Sequence, residues 1–250
     1  MSIPKIALQL WSIKEHIQDN LENSLKEVSQ MGYDGVEFAG YFGHKAEDVK
    51  SWLDEYHLQV AASHTPFESL QNDLEAEIEY AKTVGNKFII VPYATFDNLA
   101  GWENFWKEME AIARRLNDED IMLGYHNHNH EFDGSKGYDI LDLAAKLAPS
   151  ILLEIDTYWV NFAGVDSVKW IKKHTDSVGM LHIKDFDATN QESIQIGEGT
   201  LPIADYVKVA SRLEHPWLVI EQEAFRTATP LEAAAANVKA LREIVKEVAK

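Results

Sequence analysis

Residues 5–12 read Lys5-Ile6-Ala7-Leu8-Gln9-Leu10-Trp11-Ser12. A short apolar run passes into polar and aromatic residues with no glycine among them. A doubly wound α/β sheet usually carries a glycine-rich phosphate turn after its first strand, because only glycine lets the backbone approach a pyrophosphate that closely. Its absence separates two folds that share the same alternation of strands and helices. Seven more runs of this kind follow, at 35–38, 58–62, 87–92, 121–125, 151–155, 178–183 and 217–220. Between them, apolar residues recur at helical spacing. The spacing predicts helices around Leu21, Leu25, Val28 and Met31, closing at Gly32, and at 46–56, 67–84, 101–116, 138–147, 167–174, 203–213 and 230–248. The runs are too short and too evenly apolar for half-exposed antiparallel strands, and suit a parallel sheet covered on its outer face. Eight uninterrupted βα units predict a (β/α)8 TIM barrel, α/β in class, as a single domain over residues 1–250. No linker-like tract divides the chain, and Ala233 to Ala236 reads as helix packed against close neighbours.

Charge and composition exclude several classes. Lys and Arg number 23 against 41 Asp and Glu, a net charge of −18. Such a surface repels phosphate backbones and anionic membranes, so neither nucleic acid nor membrane is an expected partner. The chain has no cysteine, which removes thiol catalysis, disulfide frameworks and Cys-based zinc sites. Residues 1–10 lack the basic region and long apolar core of a secretory signal, and no apolar run approaches the roughly 18 residues of a membrane span. A soluble cytoplasmic protein is the expectation.

In such barrels the site lies at the C-terminal ends of the strands. There the chain carries Gln9 and Trp11, Glu37, His64, Tyr93, the run Tyr125-His126-Asn127-His128-Asn129-His130-Glu131, then Glu154, Asp156 and Trp159, His182 and Lys184, and Glu221 and Glu223. Polar groups that follow buried strands are costly unless paired or bound to a metal. Asp156, His182 and Glu221 follow three successive aliphatic runs and supply two carboxylates and an imidazole. The set suits one divalent ion, Mn, Co, Mg or Zn, with positions open to substrate oxygens. A fourth ligand is expected from the strand-five run, where Glu131 and His126 compete. Histidines in that run are also the side chains most easily poised for proton transfer near neutral pH.

These motifs, in this order, resemble the xylose isomerase-like TIM-barrel superfamily: Gln9-Leu10-Trp11-Ser12, Gly35-Val36-Glu37-Phe38, the stretch 124–132, Glu154-Ile155-Asp156-Thr157-Tyr158-Trp159, His182-Ile183-Lys184-Asp185, Gly197-Glu198-Gly199 and Val219-Ile220-Glu221-Gln222. The branch that looks nearest is the sugar phosphate isomerase/epimerases, with inosose dehydratases as relatives. The resemblance spans essentially the whole chain. It implies a metal site with one ligand each from strands five to eight, commonly Glu, Asp, His and Glu. Asp156, His182 and Glu221 match the last three. His126 stands where the strand-five glutamate is usual, so Glu131 is expected to reach back as ligand, with His126 the alternative.

The resemblance further implies isomerase or epimerase chemistry. A divalent metal would grip neighbouring oxygens of a keto or aldo sugar and stabilise an enediolate as a proton leaves the carbon beside the carbonyl. Glu221 would carry the strand-eight acid/base role, with His126, His128 or Glu131 opposite it. Loss of a hydroxyl instead would make the chain a dehydratase (lyase) on a keto-sugar or keto-cyclitol. Expected substrate contacts are Gln9, Tyr93, Trp11 and Trp159 against a sugar face, Glu37 and His64 to hydroxyls, and Lys184 to an oxygen or to Asp156. Gly197-Glu198-Gly199 reads as a turn. Of the five arginines only Arg226 follows a strand end, so the substrate is expected to be an unphosphorylated sugar or cyclitol. A homodimer is the assembly expected from the family. The rival readings are a metal-dependent hydrolase of the endonuclease IV type, which the charge opposes, and a non-catalytic sugar-binding barrel.

Overall fold

The fold is that of a computed structural model, which describes residues 3–132 and 139–250. All eight expected runs form strands. In chain order these are β1 (Lys5–Gln9), β2 (Gly35–Phe38), β3 (Gln59–His64), β4 (Phe88–Val91), β5 (Met122–His126), β6 (Leu152–Asp156) and β7 (Val178–Ile183), then a separate antiparallel hairpin of β8 (Asp185–Asp187) and β9 (Glu192–Ile194), and β10 (Trp217–Ile220). Parallel pairing in the order β1-β10-β7-β6-β5-β4-β3-β2 closes them into one barrel. Around it lie α1 (Lys14–Asp19), α2 (Leu21–Met31), α3 (Ala46–Glu55), α4 (Phe67–Asn72), α5 (Leu74–Val84), α6 (Leu99–Asn117), α7 (Ile140–Leu147), α8 (Thr157–Phe162), α9 (Ser167–Lys173), α10 (Ile203–Ala210) and α11 (Pro230–Val248).

Most departures from the expected boundaries have local causes. The helix expected over 67–84 is two helices, because Asp73 takes a non-helical φ of −151° and its carboxylate caps α5 by accepting from the Ala76 N–H. β1 stops at Gln9, whose Oε1 accepts from the Trp11 N–H and turns Leu10–Ile13 into a 3₁₀ helix. The helix expected over 138–147 runs from Ile140, behind the Asp139 cap; residue 138 lies outside the described residues. α11 starts at a full capping box, with Thr229 and Glu232 satisfying each other's backbone N–H groups and Pro230 in the first turn. Among the described residues, no helix is long and apolar enough to cross a membrane.

Strand alternation sends successive side chains to opposite faces. One set, including Ile6, Leu8, Val36, Ile89, Leu123, Leu153, Ile155, Leu181 and Ile220, joins the main core beneath the helices. The other set fills the barrel. At its N-terminal end, Ala7, Ala61, Ala62, Phe88, Ile90, Met180 and Val219 form their own apolar cluster. Further along the same faces the chemistry changes. β6 reads Leu152-Glu154-Asp156, β7 runs through Met180-His182-Lys184, and β10 through Trp217-Val219-Glu221. The fold therefore delivers ionisable groups from neighbouring strands to one buried level.

Candidate metal centre

Cross-strand register does the positioning. Asp156 pairs with His182, and His182 with Val219, so Glu221 lies two residues beyond the level of His182 on the adjacent strand. His126 ends β5 beside Glu154. The donor atoms of His126, Asp156, His182 and Glu221 all lie within 4.8 Å of one another, and all four residues are buried. A second group of the same compactness, Glu37, His64, Glu154 and His182, lies against the first and shares His182. His182 joins the two. Its Nε2 is 2.7 Å from Glu37 and 3.2 Å from Glu154, and its Nδ1 is 3.2 Å from Glu221. Among the described residues, Lys184 is the one buried cationic lysine or arginine. Its Nζ sits 3.0 Å from Asp156, 2.7 Å from Glu221 and 2.9 Å from Glu223.

The electrostatics follow from that packing. Burial alone would raise Asp156, but Lys184 and His126 hold its carboxyl down at about 2. Burial likewise opposes the charge of Glu221, and Lys184 and His182 keep it well below the usual carboxylate range. Burial and the charge of Glu154 push Glu37 up to about 7, against the pull of His64 and His182. Burial, then the neighbouring His126, lowers His128 to about 3, so its imidazole is neutral at ordinary pH. Four buried carboxylates gather here, Asp156 and Glu221 against the single buried lysine and Glu37 and Glu154 against His64 and His182. That excess calls for further positive charge, from imidazolium or a bound cation.

The residues fit a divalent cation. Both ring nitrogens of His126 and Oδ2 of Asp156 are buried without a hydrogen bond, although Nε2 and Oδ2 stand only 3.4 Å apart and Oδ2 is also paired in charge with Lys184. Buried polar atoms seldom go unmatched, and an ion shared between imidazole and carboxylate would satisfy Oδ2 and one of the two ring nitrogens. Two imidazoles and two carboxylates are donors suited to Zn, Mn or Co. Above the group a cavity of about 520 Å³ opens, walled by Trp11, Pro66, Pro92 and Tyr93 and floored by His64, His126, His128 and Glu221.

A sequence profile of the xylose isomerase-like TIM barrel matches residues 25–244. The chain belongs to that family. Within it, an inosose dehydratase of Mesomycoplasma hyopneumoniae is 24% identical over 269 residues, covering 90% of this chain and 89% of the relative. A solved sugar phosphate isomerase/epimerase from Parabacteroides distasonis superposes with a TM-score of 0.80 at 22% identity, over 97% of this chain and 98% of that one. The IOLI protein, solved with a zinc atom bound, superposes with a TM-score of 0.69 at 17% identity, over 98% and 99% of the two chains. At these identities the structural likenesses speak to the fold.

The xylose isomerase-like barrel places the two strand-five candidates apart. Glu131 does not reach the donor group. Tyr125 donates to its Oε1 at 2.6 Å and the His128 N–H to its Oε2 at 2.8 Å, which fold it back against β5. His126, the alternative, stands beside Asp156, His182 and Glu221. Arg226 pairs with Glu192 at 2.6 Å and does not line the cavity. Glu37 is fully buried below the cavity, and Gln9 donates to it at 2.5 Å, so neither lines the cavity wall. Lys184 is committed to three carboxylates. Trp11 and Tyr93 are exposed on the rim, and the Trp159 ring lies 5.6 Å from that of His128.

Two residues escaped functional assignment in the sequence. Glu154 precedes Asp156 by two and so shares its face; that spacing was the available signal. Asp185 is a structural hub. Its carboxylate accepts from the N–H groups of Phe186, Gly197, Gly199 and Leu201 at 2.8–3.1 Å. A Cβ on Gly199 would come within 2.3 Å of that carboxylate, which accounts for the glycine. Gly197-Glu198-Gly199 is therefore a turn wrapped on Asp185.

Proposed function

We propose that the chain is a divalent-metal-dependent enzyme that moves a proton at the carbon beside the carbonyl of a small, uncharged sugar or cyclitol. The carrying observation is the buried group His126, Asp156, His182 and Glu221, with its unmatched donor atoms, opening on a cavity. The metal, when bound to these four, would supply Lewis acidity. The remaining work falls to the chain's own residues. Glu221, kept ionised by Lys184 and His182, and His128, kept neutral by burial, both line the cavity, and each can accept a proton. Trp11 and Tyr93 offer ring faces for an apolar sugar face at the rim. No Arg or Lys lines the cavity among the described residues, while Glu221 and Glu223 do, which disfavours a phosphorylated substrate.

Isomerisation or epimerisation is the first reading. Dehydration of a keto-cyclitol is the second, supported by the inosose dehydratase relatives along 90% of the chain and by imidazole at the end of β5. One experiment tests both. The protein is loaded with Mn, Co or Zn, incubated with keto sugars and inososes in heavy water, and followed by NMR. Deuterium entering the carbon beside the carbonyl supports proton transfer; an isomer or epimer as product selects the first reading, and loss of water the second. Absence of exchange in a metal-loaded protein that still binds these compounds would overturn the proposal in favour of a binding barrel. Asp156→Ala and His182→Ala are each expected to lose the metal, read by elemental analysis.

A further inference from the structure

We propose that Glu37 is a positioning residue: it holds the Nε2 proton of His182 and so turns Nδ1 of that ring towards the cation site. The inference rests on the metal reading above. An imidazole that ligates a cation through one nitrogen keeps its single proton on the other, and the hydrogen bond made by one nitrogen decides which nitrogen ligates. His182 is fully buried between two pairs of carboxylates. Nε2 makes the closer contacts, 2.7 Å to Glu37 and 3.2 Å to Glu154. Nδ1 faces Glu221 at 3.2 Å and Asp156 at 3.9 Å. A proton on Nε2 leaves the Nδ1 lone pair directed at the group that contains His126, Asp156 and Glu221.

Glu37 is itself held. Gln9, its register partner on β1, donates from Nε2 to the same carboxylate oxygen at 2.5 Å. The Trp11 N–H donates to Gln9 Oε1 at 2.9 Å, which fixes which end of that amide faces Glu37. A relay of Trp11 backbone, Gln9 and Glu37 thus reaches a ring on β7, two strands from β1. Glu37 does not line the cavity, so it acts through His182 rather than on a substrate.

The test is a cobalt titration of the metal-free, full-length chain, with affinity read by competition against a chelator and the visible cobalt spectrum recorded. Carboxylates that orient ligating histidines are worth about 10–100-fold in metal affinity. The wild type is expected to bind one ion at this centre. Glu37→Gln and Glu37→Leu are expected to keep one ion, with affinity lowered within that range and a shifted spectrum. Glu154→Gln removes the carboxylate at the longer contact and is expected to lose clearly less. If Glu37→Leu fails to fold, Glu37→Gln carries the test. Unchanged affinity in Glu37→Gln overturns the positioning role alone. Equal losses in Glu37→Gln and Glu154→Gln also overturn it, because the closer contact then confers nothing that the longer one does not. Two ions in the wild type, falling to one in Glu37→Gln, would make Glu37 a ligand instead. A wild type that binds no metal overturns the metal reading as well.

Discussion

The two ends of the barrel interior are built from the same strands yet filled by opposite chemistry. Towards the N-terminal end, Ala7, Phe88, Ile90, Met180 and Val219 pack against one another with no polar side chain among them. One or two alternations further on, Glu37, Glu154, Asp156, His182 and Lys184 occupy the equivalent inward positions, all essentially without solvent. The first end gains stability from every apolar side chain it buries. The second places charges where isosteric apolar residues would often be as stable or more so. That cost is what marks this end of the barrel as the candidate site.

Substitutions can break or sharpen this contrast. The largest effect is expected for Lys184→Met, which leaves Asp156 and Glu221 buried without their cation. The metal-free protein should lose ~3–5 kcal/mol in urea unfolding, and saturating cobalt should return much of it. A loss that metal does not relieve would mean that Lys184 and the ion do not serve the same carboxylates. At the apolar end, Phe88→Ala should lose about 3 kcal/mol while cobalt affinity stays at the wild-type value. Coupling between that site and the metal would show that the two ends are not independent. Glu131→Gln should cost roughly 1–3 kcal/mol through the Tyr125 and His128 contacts, with metal content unchanged; loss of metal would make Glu131 the strand-five ligand. Arg226→Ala, which only releases Glu192 at the surface, should leave both the melting temperature and the substrate KM where they were.

The barrel was legible because its strands are buried on both faces and read as unbroken apolar runs. What the pattern passed over is short or polar: α1, α8 and the β8–β9 hairpin. Asp156, His182 and Glu221 stood out as polar groups directly following such runs, and the structure brings them together. The strand-five contribution was harder because it depends on where the strand stops. β5 ends at His126, and the 3₁₀ turn over His130–Phe132 swings Glu131 back to Tyr125, a choice that residue types alone do not dictate. Glu37 was visible as a polar residue in an apolar run. Its partner His182 lies 145 positions away, and only barrel closure brings them within 2.7 Å. The fate of Arg226 was settled by Glu192, on a hairpin that the pattern did not reveal.

Asp185 bears on time rather than place. Its carboxylate gathers amides from Phe186 to Leu201, so the stretch that follows β7 is bound to a buried group rather than to water. Local opening there has to break several of these bonds together, and amides of that kind exchange their hydrogens on the slow clock of the core. One side of the barrel mouth should therefore keep its shape on the timescale of global unfolding.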